Sequence, residues 1–193
     1  MEFDTNMRKK LTLFLFVFMV SITTVLSGCT NTSQNTDNNS GTAENFTFEL
    51  PNGTEMELKD YRGKIVILDM WATWCQPCQY QMLEFIKAYE NYSDEIEILS
   101  INIDPSESNQ DIIDFINLFA NYGYHMNWVF GNEVDDTSKY KIEPDSGIPS
   151  ICFFDRDGEI LYKHVGVMMY DTFPAGWTGE KVLLKEKIDE YIK

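Results

Sequence analysis

The sequence predicts an α/β fold built on a mixed sheet with helical cover. Two observations carry this. Continuous apolar, β-branched runs alternate with segments of helical period, as buried strands alternate with surface helices. Near the C-terminus two apolar runs flank Asp155-Arg156-Asp157-Gly158, a hairpin signal, so the sheet cannot be wholly parallel.

The elements follow in order. "FTFEL" (46–50) alternates as a half-buried strand does, and Pro51-Asn52-Gly53 turns the chain. "KIVILDMW" (64–71) reads as a central strand covered on both faces. From Pro77 to Tyr92, Met82, Phe85, Ile86 and Tyr89 recur at helical spacing. "EIEILSINI" (95–103) is a second buried strand, ended by Asp104-Pro105. Ile112, Phe115, Ile116 and Phe119 mark a second amphipathic helix, closed by residues 121–123. "NWVF" (127–130) is a short strand, and a short helix follows around residues 137–140. "SICFF" (150–154) and "EILYKHV" (159–165) form the hairpin. A last helix is expected over 180–192, with Val182, Leu183, Leu184, Ile188 and Tyr191 on its apolar side. Helices are expected on both faces of the sheet.

The N-terminus reads as a secretory signal. Arg8-Lys9-Lys10 precedes an apolar run and then "LSGC", ending at Cys29. This order resembles the lipobox of prokaryotic lipoproteins, in which the cysteine sulfur carries lipid and the chain is cut before it. A retained membrane helix is the alternative, but sixteen residues from Leu11 to Leu26 fall short of the ~20 that a span needs. Residues 30–45 are almost devoid of apolar side chains and read as a flexible tether. The expected division is a lipoprotein signal peptide at 1–28, a lipidated tether at 29–45 and a folded domain at 46–193. That places the domain at the extracytoplasmic face of the cell membrane, held by a lipid anchor.

The chain carries a formal charge of −16. Removing Glu2, Asp4, Arg8, Lys9 and Lys10 leaves 29 acidic against 12 basic residues. Such a surface disfavours nucleic acid as a partner, and solubility explains it more simply than a cationic partner does.

Of the four cysteines, Cys29 belongs to the lipobox and Cys152 sits in an apolar strand, where a free thiol behaves as a small hydrophobe. Cys75 and Cys78 remain, in "WATWCQPCQ". A zinc site needs three or four ligands, and neither His125 nor His164 stands at ligand spacing, so no metal is expected. A staple across so short a loop would remove little chain entropy. A redox pair fits best. Cys75 would lie at a helix N-terminus, whose free N–H groups stabilise a thiolate. Cys78, one turn on, could resolve a mixed disulfide. Pro77 suits an early helical position.

"VILDMWATWCQPC" is similar to the active-site segment of thioredoxin-fold proteins, and "WATWCxPC" looks most like the TlpA-like (ResA-like) branch of membrane-tethered, extracytoplasmic thiol–disulfide oxidoreductases. The resemblance runs over about residues 46–192. It implies a thioredoxin fold: a mixed central sheet flanked by helices, with an N-terminal strand and, over residues 104–136, a central insertion. "GIPSICFFDRDGEI" resembles the second signature of the family, which implies a cis peptide at Pro149, facing the cysteines. Ile148 would then offer its backbone to a substrate segment. Asp69 matches the buried acid that helps deprotonate the second cysteine, although many TlpA-like proteins have Asn there. Trp74 and Pro77 would border the substrate. Gln81 departs from the family, which often has Glu at this place.

The resemblance implies protein thiols and disulfides as substrates, with no small cofactor. An upstream membrane electron donor, such as a transmembrane thiol reductase, fits that placement. Relatives often serve cytochrome c maturation or copper-site thiols. Two other readings stand beside this one. A peroxiredoxin-like peroxidase would use a Thr-x-x-Cys site, but Thr73 lies one residue too close to Cys75. A non-catalytic copper-binding lipoprotein would want Cys-x-x-x-Cys and a distal His.

Overall fold

The computed structural model describes residues 43–193. The expected signal peptide, Cys29 and nearly all of the expected tether lie outside the described residues. Seven strands, β1 (Thr47–Glu49), β2 (Glu55–Glu57), β3 (Ile65–Trp71), β4 (Ile96–Asn102), β5 (Val129–Glu133), β6 (Ser150–Phe154) and β7 (Ile160–Val165), form one sheet in the order β2-β1-β5-β4-β3-β6-β7. Among the described residues three helices accompany it: α1 (Gln76–Tyr92), α2 (Asn109–Asn121) and α3 (Leu184–Tyr191).

The unbroken apolar run of β3 has the expected consequence. The strand is buried along its whole length, parallel to β4 on one side and antiparallel to β6 on the other. Its alternation divides two core layers. Ile65, Ile67 and Trp71 face the helices, while Val66, Leu68 and Met70 face Phe46, Leu58, Tyr140 and Phe154. From β3 through α1 to β4, and through α2 to β5, the chain steps across the sheet in one direction. Right-handed crossovers then leave α1 and α2 on one face. α3 joins them, since Ile112, Phe115, Leu184 and Ile188 belong to one core. The opposite face is closed by two 3-10 turns, Leu58–Tyr61 and Ser138–Tyr140. The helical cover is thus α-helical on one face and 3-10 on the other.

Two elements depart from the sequence reading, and β2 was not anticipated by it. β5 begins two residues later than "NWVF" implies, because its ladder with β4 opens at Val129, opposite Leu99. Trp128 instead turns its indole inward, and Nε1 donates to Ser100 Oγ at 3.0 Å. The last helix starts at Leu184, not at Glu180. The N–H groups of Leu184 and Lys185 donate to the carbonyls of Met169 and Tyr170 at 2.8 and 2.9 Å. Orphan donors of the first turn are thereby satisfied by a distant segment, and no upstream turn is needed.

At Gly131 β5 lies close against β1. A Cβ there would lie 2.7 Å from the Glu49 carbonyl oxygen and 2.8 Å from Phe48 Cδ2. Gly131→Ala is expected to lower stability in urea unfolding by about 1–3 kcal/mol through overpacking. An unchanged midpoint would mean that the two strands can separate without loss.

Candidate active site

The site forms where β3 ends. Ala72–Trp74 lead to Cys75, whose N–H donates to the Ala72 carbonyl at 3.1 Å. Cys75 is the N-cap of α1: its Sγ accepts from the Cys78 N–H at 3.2 Å. Pro77 lies in the first turn, where no intrahelical bond is lost. Cys75 and Cys78 are joined by a disulfide, with their Cα atoms 5.2 Å apart. Cys75 keeps 3% of its surface and Cys78 none, so an incoming sulfur can reach only Cys75.

Pro149 stands against this pair. The Ile148–Pro149 peptide is cis, and the Ile148 carbonyl oxygen lies 3.7 Å from Cys75 Sγ. The loop is tied on both sides. Gly166 N–H donates to the Pro149 carbonyl at 2.8 Å, and Ser150 Oγ donates to the Gly147 carbonyl at 2.6 Å. Trp74 is 66% exposed, with Nε1 donating to Asp104 Oδ2 at 2.7 Å. Trp74 and Ile148 share one hollow beside the disulfide, and exposed Pro77 borders another.

Asp69 is fully buried on the helix-covered face of β3. Ser100 Oγ donates to its Oδ2 at 3.0 Å and itself accepts from Trp128 Nε1. Oδ1 has no partner among the described residues. Burial pushes the carboxyl up to about 7, and the Ser100 bond only partly offsets this. A carboxyl of that kind can hold or release a proton near neutrality. Ser100 Oγ lies 3.9 Å from Met82 Sδ on α1, so the acid's partner reaches the cysteine-bearing helix.

Sequence reasoning missed several residues that hold the site. Glu107 accepts from the Thr73 N–H at 3.0 Å and also bonds Thr73 Oγ1 and Asn102 Nδ2. Gln79 Nε2 donates to the Thr73 carbonyl at 3.0 Å. The peptide two residues before Cys75 is therefore fixed from both sides. The available signal was topological: loops after the adjacent parallel strands β3 and β4 leave the same edge of the sheet. Gln81 is buried, and its amide both donates to the Met168 carbonyl (3.3 Å) and accepts from the Met168 N–H (2.7 Å). A carboxylate at this position could make only the second bond.

Cys152 lies in the opposite core layer, where burial pushes its thiol up to about 12. His164 is buried and pairs with Glu180 at 3.3 Å. Among the described residues no group of three or more His, Cys, Asp or Glu side chains is set to hold a metal ion.

The profile of the AhpC/TSA family matches residues 41–163. The chain is 28% identical to the thiol-disulfide oxidoreductase ResA of Bacillus subtilis over 127 residues, 65% of this chain and 66% of that protein. It is 30% identical to the ResA of Geobacillus kaustophilus over 128 residues, 66% of this chain and 69% of that protein. The matched stretch thus spans about two thirds of these relatives. The fold is similar to that of a putative thiol:disulfide interchange protein DsbE from Chlorobium tepidum (TM-score 0.54, 24% identity, 65% of this chain and 83% of that one).

Two predictions concern the buried polar groups. The folded chain holds the Asp69 proton more tightly than the unfolded chain, whose carboxyl keeps the ordinary value of 3.8. Its contribution is therefore full below about pH 4 and is lost as pH rises through 7. Asp69→Asn is expected to gain stability relative to wild type between pH 4 and pH 8, by up to roughly 4 kcal/mol. Thermal melts across that range should show the gap widening; parallel curves would mean that folding does not change the proton affinity of Asp69. Gln81→Glu should behave as a buried acid facing a carbonyl. It is expected to lose roughly 1–3 kcal/mol relative to wild type between pH 5 and pH 8, measured by urea unfolding, with Gln81→Met as a pH-independent comparison.

Proposed function

The chain is a thiol-disulfide oxidoreductase of the AhpC/TSA family, ResA type, and we propose that it exchanges disulfides with protein partners from a lipid anchor outside the cytoplasm. The observation that carries the exchange reading is the asymmetry of the pair. Cys75 Sγ is at a helix N-terminus, accepts the Cys78 N–H and is the one sulfur of the pair within reach. Those are the conditions that favour a nucleophilic thiolate.

In the reducing direction, the Cys75 thiolate attacks one sulfur of a partner disulfide. A Cys75–partner mixed disulfide forms, and the partner's second sulfur leaves as a thiolate. Cys78 then loses its proton and attacks Cys75 Sγ. The Cys75–Cys78 disulfide closes and the partner's first sulfur departs. Two electrons pass from the protein dithiol to the partner, and two protons end on the partner's thiols. The reverse sequence oxidises a partner dithiol. Asp69, buried and poised near neutrality, is the group we assign as proton acceptor from Cys78. The cis Pro149 loop borders the attacked sulfur, and Ile148, Trp74 and Pro77 would flank the partner chain.

Anchoring rests on the sequence: "LSGC" at 26–29 and the polar stretch after it. A membrane thiol reductase would then be a suitable electron source, and cytochrome c or copper-site thiols suitable targets. The acidic surface supports the view that nucleic acid is no partner. A peroxidase finds less support here, because Thr73 Oγ1 is bonded to Glu107.

Equilibration against glutathione redox buffers is expected to interconvert the dithiol and disulfide forms of the full chain. Cys78→Ser should accumulate a mixed disulfide on Cys75, and Cys75→Ser should not. Equal trapping by both variants, or no exchange at all, would remove the reading. For the anchor, Cys29→Ala is expected to shift the protein from the membrane to the soluble fraction of expressing cells.

A further inference from the structure

A long connection, residues 166–183, runs between β7 and α3. It is held in place from below by α1. Gln81 bonds both polar groups of the Met168 backbone, and Glu84 Oε2 accepts from the Tyr170 N–H at 2.7 Å. The carbonyls of Met169 and Tyr170 receive the first N–H groups of α3. Met168 and Tyr170 are buried, so the alternate residues Val167 and Met169 turn outward.

Outward of that strap lies a cavity of about 510 Å³. Val167, Met169 and Trp177 form one wall, and Pro77, Tyr80 and Leu83 of α1 form the other. We propose that this groove is a specificity subsite that receives an aromatic side chain of the partner polypeptide next to its reactive cysteine. The proposal rests on the exchange function above.

Continuity with the reactive sulfurs decides the occupant. Pro77 lies between the two cysteines and is itself a groove wall. A partner sulfur bonded to Cys75 therefore stands beside the groove mouth. An extended chain advances roughly 3.3–3.6 Å per residue, so side chains one to three residues from that cysteine reach the walls. The groove is mostly apolar, and its strap wall is fixed by buried polar bonds; both favour one rigid aromatic side chain. Tyr80 and Leu83 also border a second hollow, of about 310 Å³, on the side of Leu118 and Tyr122. That hollow supplies an internal comparison.

The test uses the full chain in its dithiol form. Its substrates are short synthetic peptides whose one cysteine is disulfide-bonded to glutathione, with Trp or Ala placed one to three residues away on either side. Wild type is expected to reduce the best Trp peptide about tenfold faster than its Ala counterpart, as partial burial of one large apolar side chain allows. Tyr80→Ala and Met169→Ser, from opposite walls, should each bring that ratio toward one. Glutathione disulfide, run alongside, follows the cysteine chemistry alone.

No Trp preference in a wild-type chain that turns over glutathione disulfide would overturn the groove and leave the exchange function standing. No turnover of either substrate would overturn both. A ratio that survives in Met169→Ser but collapses in Tyr122→Ala would place the preference in the neighbouring hollow, against the proposal. A dimer of wild type that Tyr80→Ala dissociates would give the groove to a second copy of the chain, with the same consequence.

Discussion

The register of β3 against β6 is the constraint on which the site depends. Met70 stands opposite Ser150. The residues that follow β3 and those that precede β6 therefore leave the sheet side by side, which brings Cys75 Sγ to the Ile148 carbonyl. Strand side chains alternate with a period of two, so a slip of one residue would turn Ile65, Ile67 and Trp71 out of the helical core. Both faces of β3 are buried, and such a slip would exchange two packed layers at once. Core packing thus sets the sulfur geometry without a residue dedicated to that purpose.

The same strand carries a group that packing alone would reject. Asp69 occupies a position where its neighbours two residues away are Ile67 and Trp71, and one of its oxygens has no partner among the described residues. The Ser100 hydroxyl, itself held by Trp128, satisfies only part of the carboxyl's demand. An uncharged residue would be more stable there above neutral pH. Retaining an acid of this kind beneath the cysteine helix is an expense that proton transfer would justify, as strained or destabilised groups at functional sites often are.

Local pattern made the central features legible. The continuous apolar run announced β3, the Asp157-Gly158 turn announced the β6–β7 hairpin, and the cysteine pair fell at a strand-to-helix junction as its flanks implied. What escaped was nonlocal. Glu107 reads as one polar residue of a loop, yet it closes on a peptide 34 positions away. Gln81 looked only like a lost acid, because its partner, Met168, is 87 positions distant. The start of α3 was misplaced for the same reason: Val182 and Leu183 continue a helical pattern, but backbone donors from residues 184 and 185 are taken by the strap. Periodicity reports which face is apolar; it does not report which distant backbone will satisfy a donor.

These long-range bonds separate two tasks. The cysteines, Asp69 and the Pro149 loop lie on or next to β3, α1 and β6, and β3 and β6 are adjacent interior strands of the sheet. The strap belongs to none of these strands and is fastened through Gln81 and Glu84, whose polar ends reach it from the buried side of α1. Its sequence can therefore vary at outward positions such as Val167 and Met169 without touching the sulfurs. The amide at position 81 matters to this arrangement, since it serves the Met168 donor and acceptor together in either protonation state of its surroundings. A carboxylic acid there would hold the strap fully only while protonated. With Gln at this position the hold on Met168 needs no titratable group, while Asp69 keeps its own pH dependence in the sheet below.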